Sequence, residues 1–178
     1  GGIMAGTLYL GGDGRLWLWD IFNSKQRGID PKEILWEPLG RKVGSTDGAA
    51  YLEPPPSSAK QGIEQGFAIK VKCNGKEYIR QLREADWKEV SFTGQYPLAT
   101  IQFTDNSLPF SVTMEAYSPF IPLNADDSGL PATVFSITVH NNSKSALEAS
   151  LAGWLENACL FFQKDKTSFK RQNSRIKK

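Results

Sequence analysis

The clearest periodicity in the chain lies between positions 67 and 82. Phe67, Ile69, Val71 and Cys73 alternate with Ala68, Lys70 and Lys72, the two-residue period of a strand with one buried and one wet face. Asn74-Gly75 follows, and then a second run over 78–82. Asn-Gly suits a type I′ turn because both of its central residues need positive φ, so this segment is predicted to be a hairpin. The same alternation recurs at Phe110, Val112, Met114 and Ala116, and at Phe135, Ile137 and Val139. Further strands are predicted over 90–93, 99–104, 110–116, 133–141 and 147–155. The breaks carry turn residues: Asp105-Asn106-Ser107, 124–129 and 141–144. Near the start, Leu16 and Leu18 alternate with Trp17 and Trp19 in a strand over 15–22. The turn residues Gly11-Gly12-Asp13-Gly14 connect it to a partner over 7–10. Positions 24–58 break this rhythm. They are rich in Gly, Pro and charge, end in Pro54-Pro55-Pro56, and are predicted to be one long surface loop. A short helix over 81–88 is the only one expected. No repeat of solenoid or propeller period is present. Many short alternating strands predict an all-β fold, an antiparallel β-sandwich with a long Pro/Gly-rich loop.

Composition agrees with a packed domain. The chain has 178 residues, 40% of them apolar and 11% aromatic, enough for a sizeable core. It has no apolar run as long as a membrane helix and no signal peptide pattern. Its first residue is not Met, which leads to the expectation of residues upstream. Net charge is +2, but the last fifteen residues, 164–178, hold seven basic residues and a single acid, Asp165. The body is therefore acidic, with fourteen basic residues against eighteen acidic ones. A basic tail can bind nucleic acid or anionic lipid. With one aromatic, Phe169, and no basic patch upstream to extend it, the favoured reading is a solvated linker and no nucleic-acid partner. The expected division is 1–163 for the sandwich and 164–178 for the tail.

The chemistry-bearing residues are few. Cys73 and Cys159 are the only cysteines and His140 the only histidine, which argues against a zinc site. Both cysteines lie in apolar runs, so two buried thiols are expected rather than a required disulfide. Asn141-Asn142-Ser143 matches a glycosylation sequon. The glycine-rich opening Gly1-Gly2-Ile3-Met4-Ala5-Gly6 lacks the Lys-Ser/Thr of a phosphate-binding loop. Trp17, Trp19 and Trp36 have rings able to stack on a sugar, or to pack in a core. If Leu16 and Leu18 face the core, alternation turns Trp17 and Trp19 outward or toward another domain. Asp126-Asp127 and Glu156 are the carboxylates nearest to a glycosidase pair, yet adjacent turn aspartates ordinarily cap turns. No G-x-S-x-G nucleophile motif is present.

Several blocks of sequence, in order, resemble the N-terminal domain of glycoside hydrolase family 116. This is the family of the non-lysosomal glucosylceramidase, or bile acid β-glucosidase. The first block is Gly1-Gly2-Ile3-x-x-Gly6-Thr7 with Gly12-x-Gly14-x-Leu16-x-x-Trp19-Asp20-Ile21-Phe22-Asn23. The second is Glu115-Ala116-Tyr117-Ser118-Pro119-Phe120-Ile121-Pro122-Leu123-Asn124, continued by Ser128-x-Leu130-Pro131 and Thr138-Val139-x-Asn141. The third is Leu151-Ala152-Gly153-Trp154-Leu155-Glu156-Asn157. Together they span 1–157; Met4-Ala5 departs from the small residues of the family's opening. The resemblance implies a β-sandwich packed on a C-terminal (α/α)6 barrel, which carries the Glu nucleophile and Asp acid/base of a retaining β-glycosidase. The 178 residues hold no such barrel, so no catalytic, cofactor or metal-binding residue is assigned in this chain and no cofactor is implied. The expected partners are the barrel and, in the whole enzyme, a β-glucoside or glycolipid substrate; the alternative reading is a stand-alone carbohydrate-binding module that uses exposed Trp and Tyr residues. Gly1, Gly2, Gly6, Trp17, Trp19 and Asp20 are the candidates for interdomain or sugar contact. An incomplete sandwich would leave an open strand edge and with it a route to a homo-oligomer.

Overall fold

The structure is a computed structural model that describes residues 8–17, 33–36, 41–44, 64–157, 172 and 174. For Tyr9, Trp17 and the strands in 33–44 it describes the backbone alone. Eleven strands are present among these residues: β1 Tyr9–Leu10, β2 Leu16–Trp17, β3 Glu33–Trp36, β4 Arg41–Gly44, β5 Gln65–Cys73, β6 Lys76–Gln81, β7 Glu89–Gln95, β8 Leu98–Thr104, β9 Phe110–Tyr117, β10 Val134–Asn141 and β11 Leu147–Leu155. Two antiparallel sheets make the sandwich, in the orders β11-β5-β6 and β10-β9-β8-β7. The predicted all-β sandwich is therefore the observed fold.

Local chemistry accounts for the sheets. The β5–β6 hairpin turns at Asn74 (φ 50°) and Gly75 (φ 73°), the two positive φ values that a type I′ turn requires. The second sheet is a meander in which each strand pairs with the next. Met114 sits between Ile101 on β8 and Ile137 on β10, one inward row crossing three strands. The inward rows supply the core. Ile69 and Val71 of β5 meet Ile101 and Phe103 of β8 and Phe110, Val112 and Met114 of β9, all fully buried. Removing each such side chain from water contributes about 1.5–3 kcal/mol. Trp87 closes one end, 5.6 Å from Phe103 and 5.9 Å from Phe110 between ring centroids. Its indole N–H, which burial would otherwise leave unsatisfied, donates to the Gln81 carbonyl at 2.8 Å.

The N-terminal hairpin is tied to the sandwich beside β6 and β7. Within its turn, Gly14 donates to the Gly11 carbonyl at 3.0 Å, and Asp13 accepts from the Arg15 N–H at 2.9 Å. Three contacts dock it. Glu84 N–H donates to the Asp13 carbonyl at 2.8 Å. Gly12 lies against the Phe92 ring. Leu16 is buried, and its carbonyl accepts from the Gln65 side-chain amide at 3.2 Å. Gln65 is the buried polar side chain of the described core, so this bond satisfies a group that would be costly to leave unpaired.

Three expectations need correction. The segment 24–58 is not an uninterrupted loop, since β3 and β4 pair antiparallel within it from Glu33↔Gly44 to Trp36↔Arg41. The run Ile34-Leu35-Trp36 has β-branched and aromatic strand formers, and the surrounding Gly and Pro hid it. The helix over 81–88 contracts to one 3-10 turn, Glu84–Asp86, because Trp87 leaves helical geometry (φ −129°) to enter the core. The turn at 124–129 contains one helical turn, α1, Ala125–Ser128. The strand predicted over 15–22 is described as far as Trp17, and its remainder lies outside the described residues.

Among the described residues, β10 and β11 each have one strand neighbour. The inward row of β10, Phe135, Ile137 and Val139, is half-buried, and β11 is exposed from Glu148 to Leu155. Among the described residues, the core is thus covered beside the N-terminal hairpin and has no further strand along the β10/β11 side.

Candidate functional site

Of the six contact candidates, Gly1, Gly2, Gly6, Trp19 and Asp20 lie outside the described residues. Trp17 ends β2, where its backbone pairs with Tyr9. The structure therefore does not bring these positions together into a described site.

The carboxylates considered for glycoside hydrolysis have other occupations. Asp127 belongs to an N-cap: its N–H donates to Asn124 Oδ1 at 3.1 Å, and its Oδ2 accepts from Asn124 Nδ2 at 2.6 Å. Asp126 is exposed beside it in the first turn of α1. Glu156 fastens β11 to the start of β5: its Oε2 accepts from Glu64 N–H at 3.1 Å, and its own N–H donates to the Glu64 carbonyl at 2.7 Å. These are backbone-organising roles. Two other carboxylates are held below the usual carboxylate range. Glu77 is shifted chiefly by a hydrogen bond from Lys70, 2.8 Å away. Asp105 is shifted first by the Ser107 hydroxyl, then by the Ser107 N–H and by Lys88. Glu77 is an exposed strand partner and Asp105 a largely covered turn residue; neither belongs to an acid/base pair.

The remaining candidates resolve in the same way. His140 lies exposed on the outer row of β10, with Nε2 3.1 Å from Thr113 Oγ1. Cys73 is a buried free thiol, 3.6 Å from Ser143 Oγ. Cys159 lies outside the described residues. The Asn141 side chain is engaged at both ends, donating to the Ser145 carbonyl at 2.8 Å and accepting from Ser143. Among the described residues no group of three or more His, Cys, Asp or Glu side chains converges as a metal ion would need. No described helix is long and apolar enough to cross a membrane.

Two features escaped the sequence reading. The first is a cleft where the N-terminal hairpin meets the sandwich, lined by Arg15, Glu64, Gln65, Gly66, Arg83 and Trp154. The Trp154 ring lies across Gly66 so closely that a Cβ at position 66 would stand 2.8 Å from it. The cleft measures about 20 Å³, room for about one water molecule, so a sugar ring does not enter it. The second is the loop from β9 to β10, residues 118–133. Ser128 Oγ donates to the Ile121 carbonyl at 3.0 Å and accepts from Ile121 N–H at 2.8 Å, and Asn124 N–H donates to the same carbonyl at 3.1 Å. This loop presents Phe120, Ile121, Leu123 and Leu130 to the surface. The signal was visible as Phe120-Ile121-Pro122-Leu123, an apolar run interrupted by proline in a turn-rich segment.

The described residues thus form a sandwich whose polar groups hold its own turns and strands. Comparison with protein families identifies what kind of sandwich it is. The family model described as beta-glucosidase 2, glycosyl-hydrolase family 116 N-term, matches residues 1–178, the whole chain. A search of curated proteins finds no match. The family match covers the blocks in which the resemblance was seen and extends it through the basic tail. This chain belongs to the N-terminal domain family of glycoside hydrolase family 116.

Proposed function

We propose that this chain is a non-catalytic β-sandwich that supports the catalytic barrel of a β-glucosidase. The observation that carries the reading is the family match over residues 1–178, to a domain named for its N-terminal place in a larger hydrolase. The use of Asp127 and Glu156 in backbone organisation supports it. In this reading an (α/α)6 barrel elsewhere in the protein supplies the nucleophile and the acid/base, acting on β-glucosides of the glucosylceramide type. Residues 1–163 are the sandwich and 164–178 a linker. Gly1, Gly2, Gly6, Trp17, Trp19 and Asp20 contribute contacts to the barrel. The burial of Leu16 supports the inward half of the alternating Leu/Trp pattern at that position, while Leu18 and Trp19 lie outside the described residues.

The test is turnover of a chromogenic aryl β-glucoside by the 178-residue chain and by the full-length protein, side by side. The full-length protein is expected to hydrolyse it and the 178-residue chain to be inert. Hydrolysis by the 178-residue chain, abolished by substituting its own carboxylates, would overturn the reading.

A further inference from the structure

The loop between β9 and β10 combines two properties that seldom occur together at a free surface. It is internally organised, and what it organises is apolar. Ser128 holds both backbone groups of Ile121, and Asn124 caps α1. Above this polar scaffold, Leu123 is fully exposed and occupies the left-handed region, φ 64°. That conformation is unfavourable for a leucine, and here it carries a large apolar side chain into water. Phe120 is half exposed and meets Tyr96 of the β7–β8 turn edge-on, with ring centroids 5.5 Å apart. Tyr96 is itself 81% exposed. Ile121 and Leu130 extend the patch. A preorganised cluster of large exposed apolar side chains marks a surface that another surface covers.

The topology indicates which one. β10 ends at Asn141 and β11 begins at Leu147, so this short connection fixes one end of the sandwich. The strands then run antiparallel, and Val134 at the start of β10 and Leu155 at the end of β11 both lie at the opposite end. The ring contact between Phe67 and Phe135, 5.1 Å, joins the two sheets near there. This is the end that bears the apolar loop, so the chain leaves the described sandwich beside the patch. Residues 118–133 contain no Lys or Arg and two acids, Asp126 and Asp127. That charge disfavours an anionic lipid surface and asks for a partner with an apolar centre and a basic rim. A partner tethered to the same chain needs little area to dock, because its effective concentration is high.

We propose that Tyr96, Phe120, Ile121, Leu123 and Leu130 form the face on which the following domain of the full-length hydrolase seats itself. This inference rests on the reading of the chain as the N-terminal part of such an enzyme.

The test uses the full-length protein with the double substitution Phe120→Ser and Leu123→Asn. Both positions are exposed, and Asn tolerates the left-handed backbone better than Leu, so the sandwich itself is left intact. Limited proteolysis between the domains should become at least about tenfold faster, and a joint calorimetric transition should separate into two. Ile79→Ser removes an apolar side chain about as exposed as Phe120 from the outer face of the other sheet and should change neither. Wild-type behaviour of the double variant overturns the docking face, as does an equal response to Ile79→Ser. Two other results also overturn it: dimerisation of the wild type that the double variant abolishes, and loss in the variant of binding to phosphatidylserine vesicles. A native protein with no following domain would overturn the parent reading as well, and that is seen in the wild type before any variant is compared.

Discussion

Gly14 and Gly75 offer a controlled measure of how tightly the N-terminal hairpin is seated. Both have positive φ, 84° and 73°. Alanine at either position meets the same backbone penalty, about 1–2 kcal/mol for an L-residue in the left-handed region. Their surroundings differ. A Cβ on Gly75 finds nothing within 4 Å, whereas one on Gly14 would stand 2.4 Å from the Leu82 carbonyl oxygen and 2.9 Å from the Phe103 ring. The carbonyl is backbone and cannot rotate aside. Phe103 is fully buried between Trp87 and the meander. Relief therefore requires the hairpin to lift, straining its bond from Glu84 to Asp13, or the core to shift. Overpacking of this kind adds about 1–3 kcal/mol. Gly14→Ala is then expected to cost about 2–5 kcal/mol in all, against about 1–2 kcal/mol for Gly75→Ala. Urea unfolding of the two variants and the wild type measures this directly. With a slope of about 2 kcal/mol per molar, the Gly14→Ala midpoint should fall about 0.5–1.5 M below that of Gly75→Ala. Coincident midpoints for the two variants would refute the seating of this turn against Leu82 and Phe103.

Two further predictions follow from the core and the turns. Phe110→Ala removes a fully buried ring with edge contacts to Tyr78 and Trp87; it should destabilise by about 3–5 kcal/mol, read as a thermal or urea midpoint, and a loss below about 1 kcal/mol would contradict its central place. Asp105 has a lowered pKa in the folded state, so its contribution to stability is present in full above its unfolded value, about 3.9, and is lost as pH falls through the lower folded value. Asp105→Asn should therefore flatten the stability curve below about pH 4 relative to the wild type. Identical acid limbs would show that Ser107 and Lys88 do not hold that carboxylate.

Much of the fold was legible because one face of each strand is buried and the other wet. Phe67 to Cys73, Phe110 to Ala116 and Phe135 to Val139 alternate with the two-residue period, and each became a strand. Asn74-Gly75 identified its turn by the backbone angles it permits. What escaped the sequence was whatever depends on neighbours rather than on period. β3 is four residues long and set among glycine, proline and charge, so its pairing with β4 left no local signature. Leu151 and Leu155 have the spacing of core residues and are half exposed, because among the described residues no strand lies beyond β11. Phe120 and Leu123 are apolar in sequence, and nothing in a pattern distinguishes an apolar residue that packs inward from one that awaits a partner. Gln65 gave no hint of its burial, which follows from a carbonyl on the N-terminal hairpin. The family was legible for a different reason. Blocks such as Glu115 to Asn124 and Leu151 to Asn157 identify a lineage through their exact residues, while under the proposed function the chemistry belongs to a barrel outside these residues.

If this sandwich is one part of a larger glycoside hydrolase, its native gene product is far larger than this chain. The most direct measurement is the mass of the native gene product in its own cells, detected with an antibody raised against this domain. A product well above 19.7 kDa, co-fractionating with β-glucosidase activity, is the expected result. A native product of 19.7 kDa would mean that the sandwich acts without a barrel and would overturn the proposed function.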